Sequence, residues 1–281
     1  MNSSPQLRSP DASNPVAALG RFAKWTASLL ALASYGLVLI ALVGSLRLPG
    51  KPGWPEALLV FTATLATLAA LSRQLPAQNT LLAAVIVAGI GSVSHSLGAA
   101  TGIPFGPFTY TTDTGPRLLN LVAWPIPLLW IVAVLNSRGV ARLILRPWRK
   151  LRAYGFWLIG LTVVLTVLFD AALEPFAVVV KHYWLWQPTR IPFTWSGAPV
   201  TNFLGWLITT LLIMAFAAPA LIDKRARPTQ RPPDYHPLVV WLLAMILFAT
   251  GAGLQQLWLP VAFGALASLV VTVFAIRGAK W

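Results

Sequence analysis

Asp170 and Glu174 stand one helical turn apart in the apolar run LFDAALEPFAVVV, residues 168–180. They are two of only seven acidic residues in the chain. Side chains at i and i+4 share one face of a helix. A charged carboxylate in the bilayer interior costs roughly 2.5–3.5 kcal/mol on insertion scales, so an intramembrane acid is a functional candidate by default. Two carboxyls side by side in a low-dielectric medium cannot both ionise cheaply, so one keeps its proton at neutral pH. A carboxylic acid beside a carboxylate is a proton donor beside a proton acceptor. Pro175 follows at once and deprives a carbonyl of the preceding turn of its helical N–H. The competing reading is structural: both acids pair with Lys181, Arg117 or backbone donors at the membrane edge.

A second group lies in SVSHSLGAATGIPFGPFTYTTDTGP, residues 92–116. His95 sits among small and polar residues at the end of an apolar run, and Gly98 and Gly102 form a GxxxG that permits close helix approach. The Pro/Gly/aromatic loop that follows is too apolar for an exposed connection and is expected to dip back into the protein. It ends at Asp113. His95 has a polar packing alternative, and Asp113 that of a turn former in TTDTG. A third group is KHYWLWQPTRIPFTWSGAPVTNFLGW, residues 181–206. Interfacial aromatics form belts, yet Tyr183, Trp184, Trp186, Trp195 and Trp206 are dense for a belt. Aromatic faces attract cations and so suit a carbocation. Asn202 is a polar group that needs a partner. Asp170, Glu174, Asp113 and His95 are the candidate proton-transfer groups. Together with Tyr110, Trp186 and Asn202 they are expected to border one cavity.

The elements that must hold these residues are membrane helices. The 281 residues are 57% hydrophobic and only 10% charged, against about 25% charged in soluble domains. Runs of about 20 apolar residues cross a bilayer. Eight are predicted, at 23–46, 55–72, 79–98, 118–136, 154–180, 200–222, 237–257 and 259–276, in one all-α polytopic domain spanning 22–281. Residues 1–21 are Ser/Pro-rich and read as a disordered tail. The first run is longer than a signal-peptide core and reads as a retained helix. Sixteen Lys and Arg fall on one side of this topology and five on the other. The positive-inside rule then places both termini in the cytoplasm of a multi-pass protein of the cell (inner) membrane. Loops 99–117 and 181–199, which carry the second and third groups, fall on the outer side. The net charge of +14 reports orientation, and nucleic acid is not an expected partner. There is no Cys for thiolate chemistry, and three scattered His, at 95, 182 and 236, do not make a histidine-box metal site.

The segments GIPFGPFTYTTDTGP, WPIPLLW, DAALEP, YWLWQ and GAPVTNFLGW, in that order over roughly residues 92–210, resemble the membrane-embedded carotenoid hydratases. These are the carotenoid 1,2-hydratases and the bisanhydrobacterioruberin hydratases. The family's P-F-G-x-Y-x-Y corresponds to Pro104, Phe105, Gly106, Phe108 and Tyr110, with Phe108 in place of the first tyrosine. Its acidic pair before proline corresponds to Asp170 and Glu174, and its W-x-W to Trp184 and Trp186. Trp195-Ser196-Gly197 stands where the family has Tyr-Tyr-Gly, whereas Asn202, Phe203, Gly205 and Trp206 fit. The resemblance implies addition of water to the terminal C1–C2 double bond of an acyclic carotenoid end group, without a redox cofactor or metal. It makes Phe105, Phe108 and Tyr110 candidate substrate contacts beside Tyr183, Trp184, Trp186, Trp195, Asn202 and Trp206. The implied partners are the carotenoid, water, the lipid bilayer and other carotenoid biosynthesis enzymes. Two other classes remain open: an isoprenoid-lipid cyclase or isomerase with the same acid and aromatic groups, and a proton-coupled transporter with the acids as relays.

Overall fold

The protein is described by a computed structural model covering residues 22, 25–26, 28–30, 32–37, 39–40, 54–189, 191, 193–222 and 232–281. A short apolar helix, α1 (Ser28–Leu37), precedes seven helices long and apolar enough to cross a membrane. These are α2 (Trp54–Ser72), α3 (Ala77–Thr101), α4 (Ile126–Ile144), α5 (Tyr154–Pro175), α6 (Val200–Ala217), α7 (His236–Leu254) and α8 (Trp258–Ala279). The all-α polytopic bundle expected from composition is what the chain forms. The expected tail 1–21 and part of the expected span 23–46, including 41–46, lie outside the described residues.

Local chemistry sets the boundaries. Pro55 and Glu56 occupy the first turn of α2, where a missing N–H costs nothing and an acid meets the positive end of the helix dipole. Gly102 ends α3 in the left-handed conformation, φ 77°, and its N–H bonds the Gly98 carbonyl at 2.8 Å. One expected boundary is corrected. The span drawn at 118–136 begins at Ile126, because β2 (Arg117–Leu118) and β3 (Val122–Ala123) form a hairpin ahead of it. Pro260, read as the break between the last two spans, lies inside the first turn of α8. The break itself is at 255–257.

α4 is the central helix, in contact with α2, α3, α5, α7 and α8. Its apolar window is 72% buried, against 22% for the peripheral α8. The chain alternates between two ends. At one end Gln74 donates to Asp234 at 2.8 Å and Arg138 to the Leu221 carbonyl at 2.7 Å. At the other end three short ribbons gather the two long loops. β1 (Phe108–Tyr110) pairs antiparallel with β4 (Trp184–Trp186), placing Phe108 opposite Trp186 and Tyr110 opposite Trp184. β5 (Thr194–Trp195) and β6 (Ala198–Pro199) form a hairpin. Its turn, Ser196-Gly197, has φ of 48° and 89°, the pattern of a type I′ turn that matches strand twist.

Candidate active site

Asp170 and Glu174 are 0% and 1% exposed, at the loop end of α5. They continue a stripe of fully buried polar residues on one helix face, Thr162, Thr166, Asp170 and Glu174. The threonine hydroxyls bond back to their own helix carbonyls, so only the two acids face outward for partners. Asn202, on the first turn of α6, bridges them. Its amide donates to Asp170 Oδ2 at 2.7 Å and to Glu174 Oε1 at 3.1 Å. Glu174 Oε2 accepts from the indole N–H of Trp184 at 3.2 Å and of Trp186 at 3.0 Å. Glu174 therefore receives three hydrogen bonds and Asp170 one. Asp170 Oδ1 is buried and has no partner among the described residues. Neither acid uses the membrane-edge cations. Lys181 pairs with Glu56, and Arg117 Nη2 donates to the Tyr110 carbonyl at 2.7 Å.

Pro175 leaves the Ala171 carbonyl without its i+4 donor. Trp195 supplies a replacement: its indole N–H reaches that carbonyl at 2.7 Å. Beyond Pro175 the chain widens into a π-helical turn, Phe176–Val180, a feature often found near functional sites.

The loop after α3 does fold back into the protein. Phe105 is 0% exposed and fills a notch made by two glycines. A Cβ on Gly98 would come within 2.8 Å of its ring, and one on Gly205 of α6 within 2.4 Å. Gly98 thus makes room for a ring, and Gly102 caps a helix. Phe105 packs on His95 with ring centroids 4.5 Å apart. His95 Nδ1 shares a 3.0 Å hydrogen bond with the Tyr110 hydroxyl. Burial holds the Tyr110 phenol well above its usual pKa, with Arg117 pulling it partly back, so it stays protonated. Trp206 stacks on Trp130 of α4 at 4.0 Å, beside His95. Phe108 meets Trp186 at 5.2 Å, which joins this aromatic group to the Glu174 group.

A cavity of about 270 Å³ opens beside the acids, on the neighbouring face of α5. Phe169 and Leu173, the residues preceding each acid, line it with Trp184, Tyr183 and Asp113. Trp184 thus shows its ring to the cavity and its N–H to Glu174. The expectation that His95, Tyr110, Asp113, Asp170, Glu174, Trp186 and Asn202 border one cavity is corrected: of these only Asp113 lines this one, and the candidates are divided. Asp170, Glu174, Asn202, Trp184 and Trp186 form one cluster. His95, Phe105, Phe108, Tyr110 and Trp206 form a second, in contact with the first. Asp113 and Tyr183 belong to the cavity wall, and Trp195 supports the helix from outside. Glu56 escaped notice in the sequence. It lines the cavity too, and the signal was an acid at the head of an apolar run, in WPE. No group of three or more His, Cys, Asp or Glu side chains converges as for a metal ion among the described residues.

A family described as carotenoid biosynthesis protein matches residues 55–271, a range that contains both clusters and the cavity. Bisanhydrobacterioruberin hydratase of Haloarcula japonica is 33% identical over 114 residues. That alignment covers 40% of this chain and 36% of the relative, so the chain spans about a third of that protein's length. No solved structure matches.

Proposed function

The chain belongs to the carotenoid biosynthesis protein family, and from that premise we propose that it hydrates the terminal C1–C2 double bond of an acyclic carotenoid, giving a tertiary alcohol. The observation that carries this reading is the asymmetry of the acid pair. Glu174, with three donors, is equipped to hold a negative charge. Asp170, with one donor and a free Oδ1, has an oxygen available to carry a proton. In the proposed reaction Asp170 protonates C2, and the alkene's electron pair forms the new C–H bond. The tertiary cation left at C1 faces aromatic rings, whose quadrupoles favour positive charge. Water attacks C1 and yields its extra proton to Glu174. Passage of that proton to Asp170 restores the starting state.

The end group would enter the apolar cavity, with Trp184 as the wall between it and the carboxyls. Turning that indole aside costs its hydrogen bond to Glu174, roughly 1.5–3 kcal/mol for a charged acceptor, which is within reach of ordinary gating motions. The named activity of the Haloarcula relative supports hydration over cyclisation or isomerisation. On this reading the partners are the carotenoid, water, the surrounding lipid and neighbouring carotenoid biosynthesis enzymes. The basic end of the bundle faces the cytoplasm, and the membrane is the inner cell membrane.

The test is expression in a cell that accumulates an acyclic carotene, followed by mass analysis of the pigments. The expected product is heavier by one water, forms without molecular oxygen and takes its oxygen from labelled water. A product isomeric with the carotene would indicate a cyclase or isomerase. Label arriving from molecular oxygen would refute hydration.

A further inference from the structure

The cavity is lined mostly by apolar side chains, with a few polar ones among them. Of these, Glu56, 9% exposed, pairs with Lys181 through Oε1, while Oε2 is buried without a hydrogen-bond partner among the described residues. The Tyr183 hydroxyl is likewise buried and unpartnered. Both residues line the cavity, with Asp113 beside them. Buried polar atoms are nearly always satisfied, and leaving one unmade costs more than a made bond returns. An orphaned acceptor and an orphaned donor on residues that line one mostly apolar cavity therefore call for a ligand with a hydroxyl. We propose that Glu56 and Tyr183 form a hydroxyl-binding subsite that receives the oxygen of an aliphatic alcohol whose branched hydrocarbon tail fills the cavity.

The chemistry of the two groups fits one oxygen. Glu56 Oε2 accepts the ligand's O–H, and the Tyr183 phenol donates to the ligand's lone pair. The phenol keeps its proton, because burial and then the nearby charges of Glu56 and Asp113 push its pKa up. The Lys181 partner fixes the Glu56 carboxylate through Oε1 and leaves Oε2 unpaired among the described residues. The volume, about 270 Å³, falls just below the roughly 300–1,000 Å³ of pockets for whole drug-sized ligands. It suits one branched end of a long chain. Resting on the hydration reading, the bound oxygen is that of the tertiary alcohol once it has formed and moved away from the carboxyl pair.

The test is binding by the full chain in lipid nanodiscs, with 2,6-dimethyloctan-2-ol compared with 2,6-dimethyloctane at matched mole fraction in the bilayer. Occupancy is read by competition, as recovery of tryptophan emission when the ligand displaces a brominated hydrocarbon that quenches it, since Trp124 and Trp184 line the cavity. The alcohol is expected to bind about three- to tenfold more tightly, the range of one net hydrogen bond. Tyr183→Phe and Glu56→Gln should each abolish or sharply reduce that preference, read as the ratio of the two probes' affinities for the same variant. Tyr183→Phe loses no internal hydrogen bond, so its thermal stability should equal or exceed that of the parent, and it decides the matter alone if Glu56→Gln does not fold. Equal binding of the two probes, or a full preference surviving Tyr183→Phe, overturns the subsite. An intact preference in a chain that forms no hydrated carotene would sink the hydration reading instead and leave the subsite standing.

Discussion

Asp170 and Glu174 sit one turn apart, equally buried, yet differ in what reaches them. One amide N–H reaches Asp170, whereas an amide and two indoles reach Glu174. On the proposed mechanism Asp170→Asn keeps the shape and removes the acid, so turnover should fall about 10²–10⁴-fold. Glu174→Gln should fall by a similar factor or less, since a protonated alcohol is a strong acid that a weak base such as a second water molecule can deprotonate. Rates at matched membrane expression check both, and wild-type turnover by Asp170→Asn would refute its role. These two acids, Asn202 and the Trp-x-Trp were legible in the sequence because a polar group in an apolar run has to be explained. Which indole met which carboxylate was not legible, since that follows from the register of β1 on β4, two strands more than 70 residues apart. Glu56 was passed over because a single acid at a helix N-terminus already has a local explanation in the helix dipole.

The elements position the site through two devices. The first is the notch that Gly98 of α3 and Gly205 of α6 offer to Phe105. Gly205→Ala would press a methyl to within 2.4 Å of that ring and should destabilise the protein by about 1–3 kcal/mol, the usual cost of overpacking. Adding Phe105→Leu should recover part of that loss in thermal unfolding of the detergent-solubilised protein. The second is the indole that takes over the Ala171 carbonyl where Pro175 cannot. Trp195→Phe keeps most of the packing and strands the carbonyl, at about 1–3 kcal/mol. Unfolding of Trp195→Phe beside Pro175→Ala, in which the helix regains its own donor, separates this cost from lost ring contacts. The freed carbonyl could be read from Pro175 alone. Its new donor, 24 residues on, could not, because hairpin β5–β6 and not helical periodicity brings it there. The same limit explains the start of α4. Residues 118–123 are apolar enough to extend a span, and only their pairing with one another removes them from the helix.

At the scale of the whole molecule, hydropathy made the bundle legible, whereas helix order around α4 came from packing that no periodicity encodes. The proposed orientation predicts that single cysteines, introduced into this cysteine-free chain, will label by side. Thr189→Cys in the ribbon end should react with an impermeant thiol reagent added outside intact cells, and Lys150→Cys only after the membrane is opened. The reverse pattern would invert the topology. The size of the cavity has a statistical consequence. A pocket that encloses one end of a long polyene takes no measure of the other end. On the proposed reading, the two termini of a symmetrical carotene are then drawn independently, like two tosses of the same coin. Singly hydrated pigment should accumulate first and peak near half of the pool, when about half of all ends have reacted. Doubly hydrated pigment should follow as the square of the reacted fraction, which a time course of the three species can be fitted to directly. Doubly hydrated product appearing from the outset would mean that the enzyme holds the molecule while turning it end for end.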